Sequence, residues 1–204
     1  MPAWTLNSAV DQLMKKEFDL LRKNGESHEL MKRYEINAVP FKHPDLKDWR
    51  DDYYKYVGAC ILHKYTNLEI CGIVDDIWIN EETKEILIVD YKATSTSRKI
   101  SLDDEYKQSY KKQMEIYQWI FRKMGFKVSN TGYFLFANAS RNRPKFDGKL
   151  EFEAEIIPYN GDDSWIDSAI LEIKKCLNSD EIPAAGAYCE HCKRNELINR
   201  EVNS

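Results

Sequence analysis

Apolar positions along the chain change period near residue 57. Over residues 5–23, Val10, Leu13, Met14, Phe18 and Leu21 recur at helical spacing and predict an amphipathic helix, capped by Asn7 or Ser8 and stopped at Gly25. A short helix follows at 29–34. Residues 36–56 read as irregular, with Pro40, Pro44 and many charges; their aromatic residues Trp49, Tyr53, Tyr54 and Tyr56 are expected to pack on the core, base stacking being the other use of such rings. From Val57 the pattern is strand-like. Val57–Tyr65, Ile70–Ile79 and Ile86–Tyr91 read as three successive strands, the last two rich in Ile and Val and buried on both faces. Asp103–Met124 predicts a long helix with the stripe Tyr106, Tyr110, Gln113, Tyr117, Ile120, Met124. A strand at 130–137, an alternating edge strand at 150–159 and an amphipathic helix at 164–177 follow. No repeat, low-complexity run or linker interrupts the chain, so one domain over 1–204 is expected, with 193–204 a flexible tail.

The two central strands carry the chemistry. Their link, Asn80-Glu81-Glu82-Thr83-Lys84, is short and charged, which favours an antiparallel hairpin. A turn centred between Glu82 and Thr83 sets Asp75 across from Asp90. Directly opposed residues share a face, with Cβ atoms about 5 Å apart. Lys92, two residues beyond Asp90, points to that face as well. Two opposed carboxylates repel unless a proton or a cation lies between them, and a hard divalent cation suits oxygen ligands. An acid two residues before a lysine is no signal alone, since it occurs six times in this chain. Only the copy at 90–92 ends a β-branched run and faces a second strand acid. The plainer account is a buried Asp90–Lys92 ion pair, or an exposed hairpin end. Gln113 interrupts an apolar and aromatic row, and a buried amide needs a partner; Tyr117 shares its face one turn on. The plainer account for Gln113 is a bond to loop backbone.

Composition bounds the rest. The chain has 204 residues, 43% hydrophobic and 31% charged, which suits a folded domain with a sizeable core. No apolar run is long enough to span a bilayer, and Met1-Pro2-Ala3-Trp4 does not open a signal peptide. A cytoplasmic protein is therefore expected, and the cysteines Cys60 and Cys71 read as small core residues. The net charge of −4 weighs against nucleic acid unless a local basic groove exists. Arg98 and Lys99 in the polar stretch 93–102, and the run Arg141-Asn142-Arg143-Pro144-Lys145, are the candidate phosphate contacts; solvated loops are the alternative.

Gly72-x-x-Asp75, then Asp90-x-Lys92, then Gln113-x-x-x-Tyr117 resembles the RecB-like branch of the PD-(D/E)XK nuclease superfamily, over roughly residues 5–195. The last motif occurs once in the chain, and the three come in the family's order. The resemblance includes the CRISPR adaptation-associated RecB-like exonucleases, without their full iron–sulfur cysteine set. It implies an α/β, restriction-endonuclease-like fold: a central mixed β-sheet flanked by helices, with core order α-β-β-β-α-β. It implies Mg or Mn held by Asp75, Asp90 and the backbone carbonyl of Tyr91, with Lys92 catalytic and Gln113 and Tyr117 positioning substrate. Family members place a metal-holding histidine on an early helix, which here matches His28 in chain order, with Glu17 as an alternative outer ligand. They also carry an early-helix cysteine, where this chain reads Lys15-Lys16-Glu17-Phe18. Cys189-Glu190-His191-Cys192 supplies only two thiols at the family's C-terminal cluster position. An iron–sulfur cluster wants four thiolates, so none is expected; zinc at Cys189 and Cys192 would need a histidine and a fourth ligand.

The expected activity is a metal-dependent hydrolysis of phosphodiester bonds in nucleic acid, with DNA and exonuclease action implied by the resemblance. The alternative is a catalytically silent binding module for nucleic acid or protein on the same fold.

Overall fold

The computed structural model describes residues 5–51 and 58–202. The expectations for Tyr53, Tyr54, Tyr56 and Val57 lie outside the described residues. The chain divides into two compact units, 1–166 and 167–204. The break falls at the start of a helix, where no linker composition marks it.

The first unit opens with α1 (Thr5–Asn24), already helical ahead of Asn7 and Ser8, so neither caps it. Gly25 adopts a φ of 73°, the left-handed geometry that ends helices at little cost to glycine. The short α2 (Glu29–Arg33) follows. The stretch read as irregular holds two short elements, β1 (Ala38–Pro40) and α3 (Leu46–Asp51). Proline is tolerated in β1 because that strand is a sheet edge. Trp49 is buried in an aromatic nest with His43, Phe121 and Phe126.

The single run read at 70–79 is two strands. β2 (Ala59–His63) and β3 (Leu68–Gly72) form a separate two-stranded sheet, and β4 (Asp76–Asn80) belongs to the main one. β3 is half exposed rather than buried on both faces. Cys60 and Cys71 correct the sequence reading most sharply. They stand opposite each other in the β2–β3 ladder and form a disulfide, and Cys71 is exposed, so they are not core thiols.

β5 (Ile86–Thr94), β6 (Thr131–Ala139) and β7 (Phe152–Asn160) complete the main sheet, in the order β1-β4-β5-β6-β7. β5 and β6 run parallel and the other neighbours antiparallel. A parallel pair needs a crossover, and a 3₁₀ turn at Glu105–Lys107 followed by α4 (Gln108–Lys123) provides it. The β4–β5 hairpin has the expected register: Asp76 pairs with Val89 and Ile79 with Ile86. Asn80 fixes its turn, the side-chain oxygen accepting from the amides of Glu82 and Thr83 at 2.9 and 2.8 Å.

Alternation along β5 sorts the two layers. Leu87, Val89 and Tyr91 join Phe18, Met31, Trp78, Leu135 and Ile156 in one core beneath α1. Burying a Phe18 or Met31 side chain there contributes about 1.5–3 kcal/mol each. Ile88, Asp90 and Lys92 point the other way, toward α4, whose Met114, Ile120 and Phe121 are fully buried. The result is a mixed sheet flanked by helices, the restriction-endonuclease-like architecture. Leu13, expected inward on α1, is exposed.

In the second unit, α5 (Ile166–Leu177) begins at the boundary, and α6 (Glu190–Val202) extends through most of the segment read as a tail. No helix among the described residues is long and apolar enough to cross a membrane.

Candidate active site

Asp75 sits just before β4 and Asp90 within β5. Strand pairing at 76–79 and 86–89, carried one position further, sets Asp75 opposite Asp90, and both line one pocket. They share a pocket of about 350 Å³ with Asp11, Met14, Lys92, Tyr110 and Gln113. The Tyr91 amide donates to Asp75 Oδ2 at 2.8 Å. Lys92 Nζ forms an ion pair with Asp90 Oδ2 and lies 4.6 Å from the centre of the Tyr110 ring. That ammonium is the partner of a carboxylate oxygen otherwise buried from solvent. A buried carboxylate that already takes a cationic partner sits where positive charge is favoured.

The electrostatics agree. Burial, then the charge of Asp90, raises the Asp75 carboxyl to about 7, against a pull downward from Lys15 and the Tyr91 amide. A quarter of the Asp75 side chain remains accessible, so solvent tempers this, but the direction is upward. Burial likewise raises Asp90, opposed chiefly by Lys92. Two carboxyls that both resist ionisation compete for protons unless a cation takes their place. The carboxyl groups of Asp75 and Asp90 offer oxygen donors, the kind that hard divalent cations take.

Gln113 and Tyr117 meet as their spacing implied, the Gln113 amide donating to the Tyr117 hydroxyl at 2.7 Å. Gln113 lines the acidic pocket and also a more apolar one beside it, shared with Tyr117 and Gly72. The Tyr117 ring lies so close to Gly72 that a Cβ there would come within 2.6 Å of it. Gly72 thus allows the ring to approach the strand break that leads to Asp75.

His28 is not brought to this site. Its Nδ1 accepts from the Leu30 amide at 2.9 Å, capping α2, and its Nε2 faces Glu17 at 2.9 Å. Its ring stacks on Phe18, and with Glu17 it lines a different cavity. Both nitrogens are engaged in holding α2 to α1. His43 packs on Trp49, and His63 meets the Thr66 hydroxyl at 2.8 Å.

Two residues of α1 were missed in the sequence. Lys15 Nζ lies 3.0 Å from Asp11 and 3.8 Å from Asp75. Positions 11, 15, 18 and 22 fall on one helix face, and charges flanking the buried Phe18 on that face were the available signal. The neighbouring acid Asp76 has a separate role. Fully buried, it accepts from the Tyr91 hydroxyl at 2.7 Å and pairs with Arg22, with Arg50 at 3.7 Å.

In the second unit, the Cys192 amide approaches Cys189 Sγ at 3.5 Å, and hydrogen bonds from Cys192 lower the Cys189 thiol. The metal-ligand cluster of three found among the described residues is Cys60, Glu69 and Cys71, and its two sulfurs are already bonded to each other.

No curated protein matches the sequence. A family model described as the PD-(D/E)XK nuclease superfamily matches residues 4–197. Members of that superfamily typically hydrolyse phosphodiester bonds with the help of divalent metal ions, which is the chemistry that paired acids and an adjacent lysine at a sheet end serve. On its fold and over nearly its whole length, this chain belongs to the PD-(D/E)XK nuclease superfamily.

Proposed function

We propose that the chain is an active Mg- or Mn-dependent nuclease of the RecB-like branch, working on DNA and from strand ends. The observation that carries the reading is the Asp75–Asp90 pair, facing one pocket with Lys92 beside it. The DNA preference and the exonuclease action rest on the resemblance of the three motifs alone.

Asp75, Asp90 and the Tyr91 carbonyl would hold the cation. When bound, it polarises the scissile phosphate and makes a bound water a better nucleophile. The Tyr91 amide fixes the Asp75 carboxylate, so that one acid arrives with its orientation set. Lys92, steadied by the Tyr110 ring, orients the attacking water and offsets the negative charge that builds on phosphorus-bound oxygen. The hydrogen-bonded Gln113 and Tyr117 position the strand along the pocket rim. Water oxygen bonds to phosphorus as the ester oxygen leaves, and no covalent enzyme intermediate is needed.

The test is a panel of end-labelled linear and circular DNA and RNA with Mg²⁺ or Mn²⁺. Metal-dependent loss of linear DNA with circular DNA spared supports the reading. Binding without cleavage at millimolar Mn²⁺ supports the silent module instead.

A further inference from the structure

β5 runs out of the acidic pocket with β6 parallel beside it, and the chain leaving each enters a polar loop. The two loops are some forty residues apart in sequence, yet the structure fuses them. The Asn138 side chain accepts from the Thr96 amide at 2.9 Å and donates to the Thr96 carbonyl at 3.0 Å. The Ser95 hydroxyl donates to the Ala139 carbonyl at 3.0 Å. A pocket of about 350 Å³ is lined by both loops, with Arg98, Lys99 and Arg141 and the hydroxyl residues Thr96, Ser97 and Ser140. The Thr96 and Ser140 hydroxyls also accept from the Arg98 and Asn142 amides. Glu153 and Glu155 of β7 form the far wall.

The basic residues of the two loops are not equivalent. Arg143, in the same loop as Arg141, is tied to Glu151 and, at 2.9 Å, to Asp147. Its guanidinium holds the loop together. Arg98, Lys99 and Arg141 are exposed residues that line the pocket, and the Arg98 charge is also felt by Asp104. Lys92 reaches the acidic pocket and Thr96 the basic one; four residues span at most about 14 Å. One polynucleotide strand can therefore occupy both pockets, a few nucleotides apart.

Resting on the nuclease reading above, we infer that this second pocket is an anchor for the sugar-phosphate backbone of the nucleic-acid substrate, remote from the scissile bond. Cations and hydroxyls aimed from a braced loop pair are the usual phosphate-positioning set and carry no sequence information. The far-wall glutamates repel phosphate and confine the contact to the loop side. The anchor also answers the charge problem: an acidic protein binds a polyanion through one local basic surface.

The experiment uses the full chain and its Arg98→Gln/Lys99→Gln/Arg141→Gln variant, with Lys149→Gln, an exposed lysine of the 140–151 loop outside the pocket lining, as the control. Binding of a fluorescent 20-nucleotide single strand is measured in EDTA across salt concentrations, so no catalysis intervenes. The triple variant is expected to bind at least about tenfold more weakly at low salt. Its log–log salt slope should be shallower by about 2, at ~0.7 per phosphate contact on single strands. Lys149→Gln should keep the wild-type slope. Melting by circular dichroism checks that both variants fold, and exposed loop positions leave the core untouched. Hydrolysis of bis(p-nitrophenyl) phosphate with Mn²⁺, too small to reach the second pocket, should be equal in wild type and triple variant. Unchanged affinity and slope in the folded triple variant overturn the anchor whatever the activity. A wild type that hydrolyses no phosphodiester, but whose binding still depends on these three residues, overturns the nuclease reading and leaves the anchor standing.

Discussion

Tyr91 and Asp75 are joined by a hydrogen bond from the Tyr91 backbone amide to Asp75 Oδ2 at 2.8 Å. The same tyrosine donates its hydroxyl to Asp76 on the other side of the sheet, at 2.7 Å. Adjacent acids are thus sorted to opposite layers, Asp75 to the pocket and Asp76 to a buried pair of arginines.

That sorting predicts different fates for the two acids. Asp76→Asn leaves Arg22 and Arg50 without their shared anion, and breaking a buried pair of this kind costs about 3–5 kcal/mol. Asp75→Asn should leave stability unchanged or raise it, because it removes one of two opposed carboxylates. Urea denaturation of both variants checks this; an Asp76→Asn protein as stable as wild type would remove the structural role assigned here.

A pH dependence follows for the metal-free protein. The folded state raises Asp75 from 3.8 to about 7, so the folded carboxyl keeps its proton where the unfolded one has lost it. The unfolded state therefore binds fewer protons between about pH 4 and 7, and this group's contribution to stability is lost as pH rises through that window. In EDTA, the Tm of Asp75→Asn relative to wild type should climb from pH 4.5 to pH 7.5. A difference that stays flat across the range contradicts the raised carboxyl.

Much of this site is legible in the sequence, and the limits have physical reasons. The hairpin register could be read because β-branched runs on either side of a short polar turn leave one economical pairing. Gln113 and Tyr117 could be paired because helical spacing puts them on one face. The break between β3 and β4 could not, since the run Ile70–Ile79 is otherwise apolar around its two acids and the Tyr117 ring that packs on Gly72 arrives from α4. Cys60 and Cys71 read as core because nothing local shows that two strands leave the main sheet. Lys15 and Asp11 have the i, i+4 spacing common on any helix, and only tertiary packing sets them beside Asp75.

Gly72→Ala tests the contact that defines the strand break. The added methyl would lie 2.6 Å from Tyr117 Cε1, so the ring must move or the strand shift. Overpacking of this kind costs about 1–3 kcal/mol, and displacing Tyr117 should also lower the rate of cleavage. Tyr117→Ala in the same chain should recover the stability and not the rate. If Gly72→Ala alone melts like wild type, the close approach is not a constraint.

Lys92→Ala separates charge stabilisation from metal binding. An ammonium is no ligand, so Mn²⁺ affinity should stay near wild type or tighten as Asp90 Oδ2 loses its competing partner. The rate should fall about a hundredfold, the usual loss when one group aimed at developing charge is removed. Weakened Mn²⁺ binding with an unaltered rate constant would reverse the role given to this lysine.

The central claim is that Asp75 and Asp90 hold the cation that drives phosphodiester hydrolysis. The most direct measurement is Asp90→Asn against wild type, with calorimetric Mn²⁺ titration and cleavage of linear DNA on the same preparations. Asparagine preserves the shape of β5, so melting and DNA binding should match wild type. Mn²⁺ affinity should drop, and cleavage should fall at least a hundredfold, about 3 kcal/mol or more of lost transition-state stabilisation. Asp90→Asn protein that binds Mn²⁺ and cleaves as wild type does would place the site elsewhere and contradict the account.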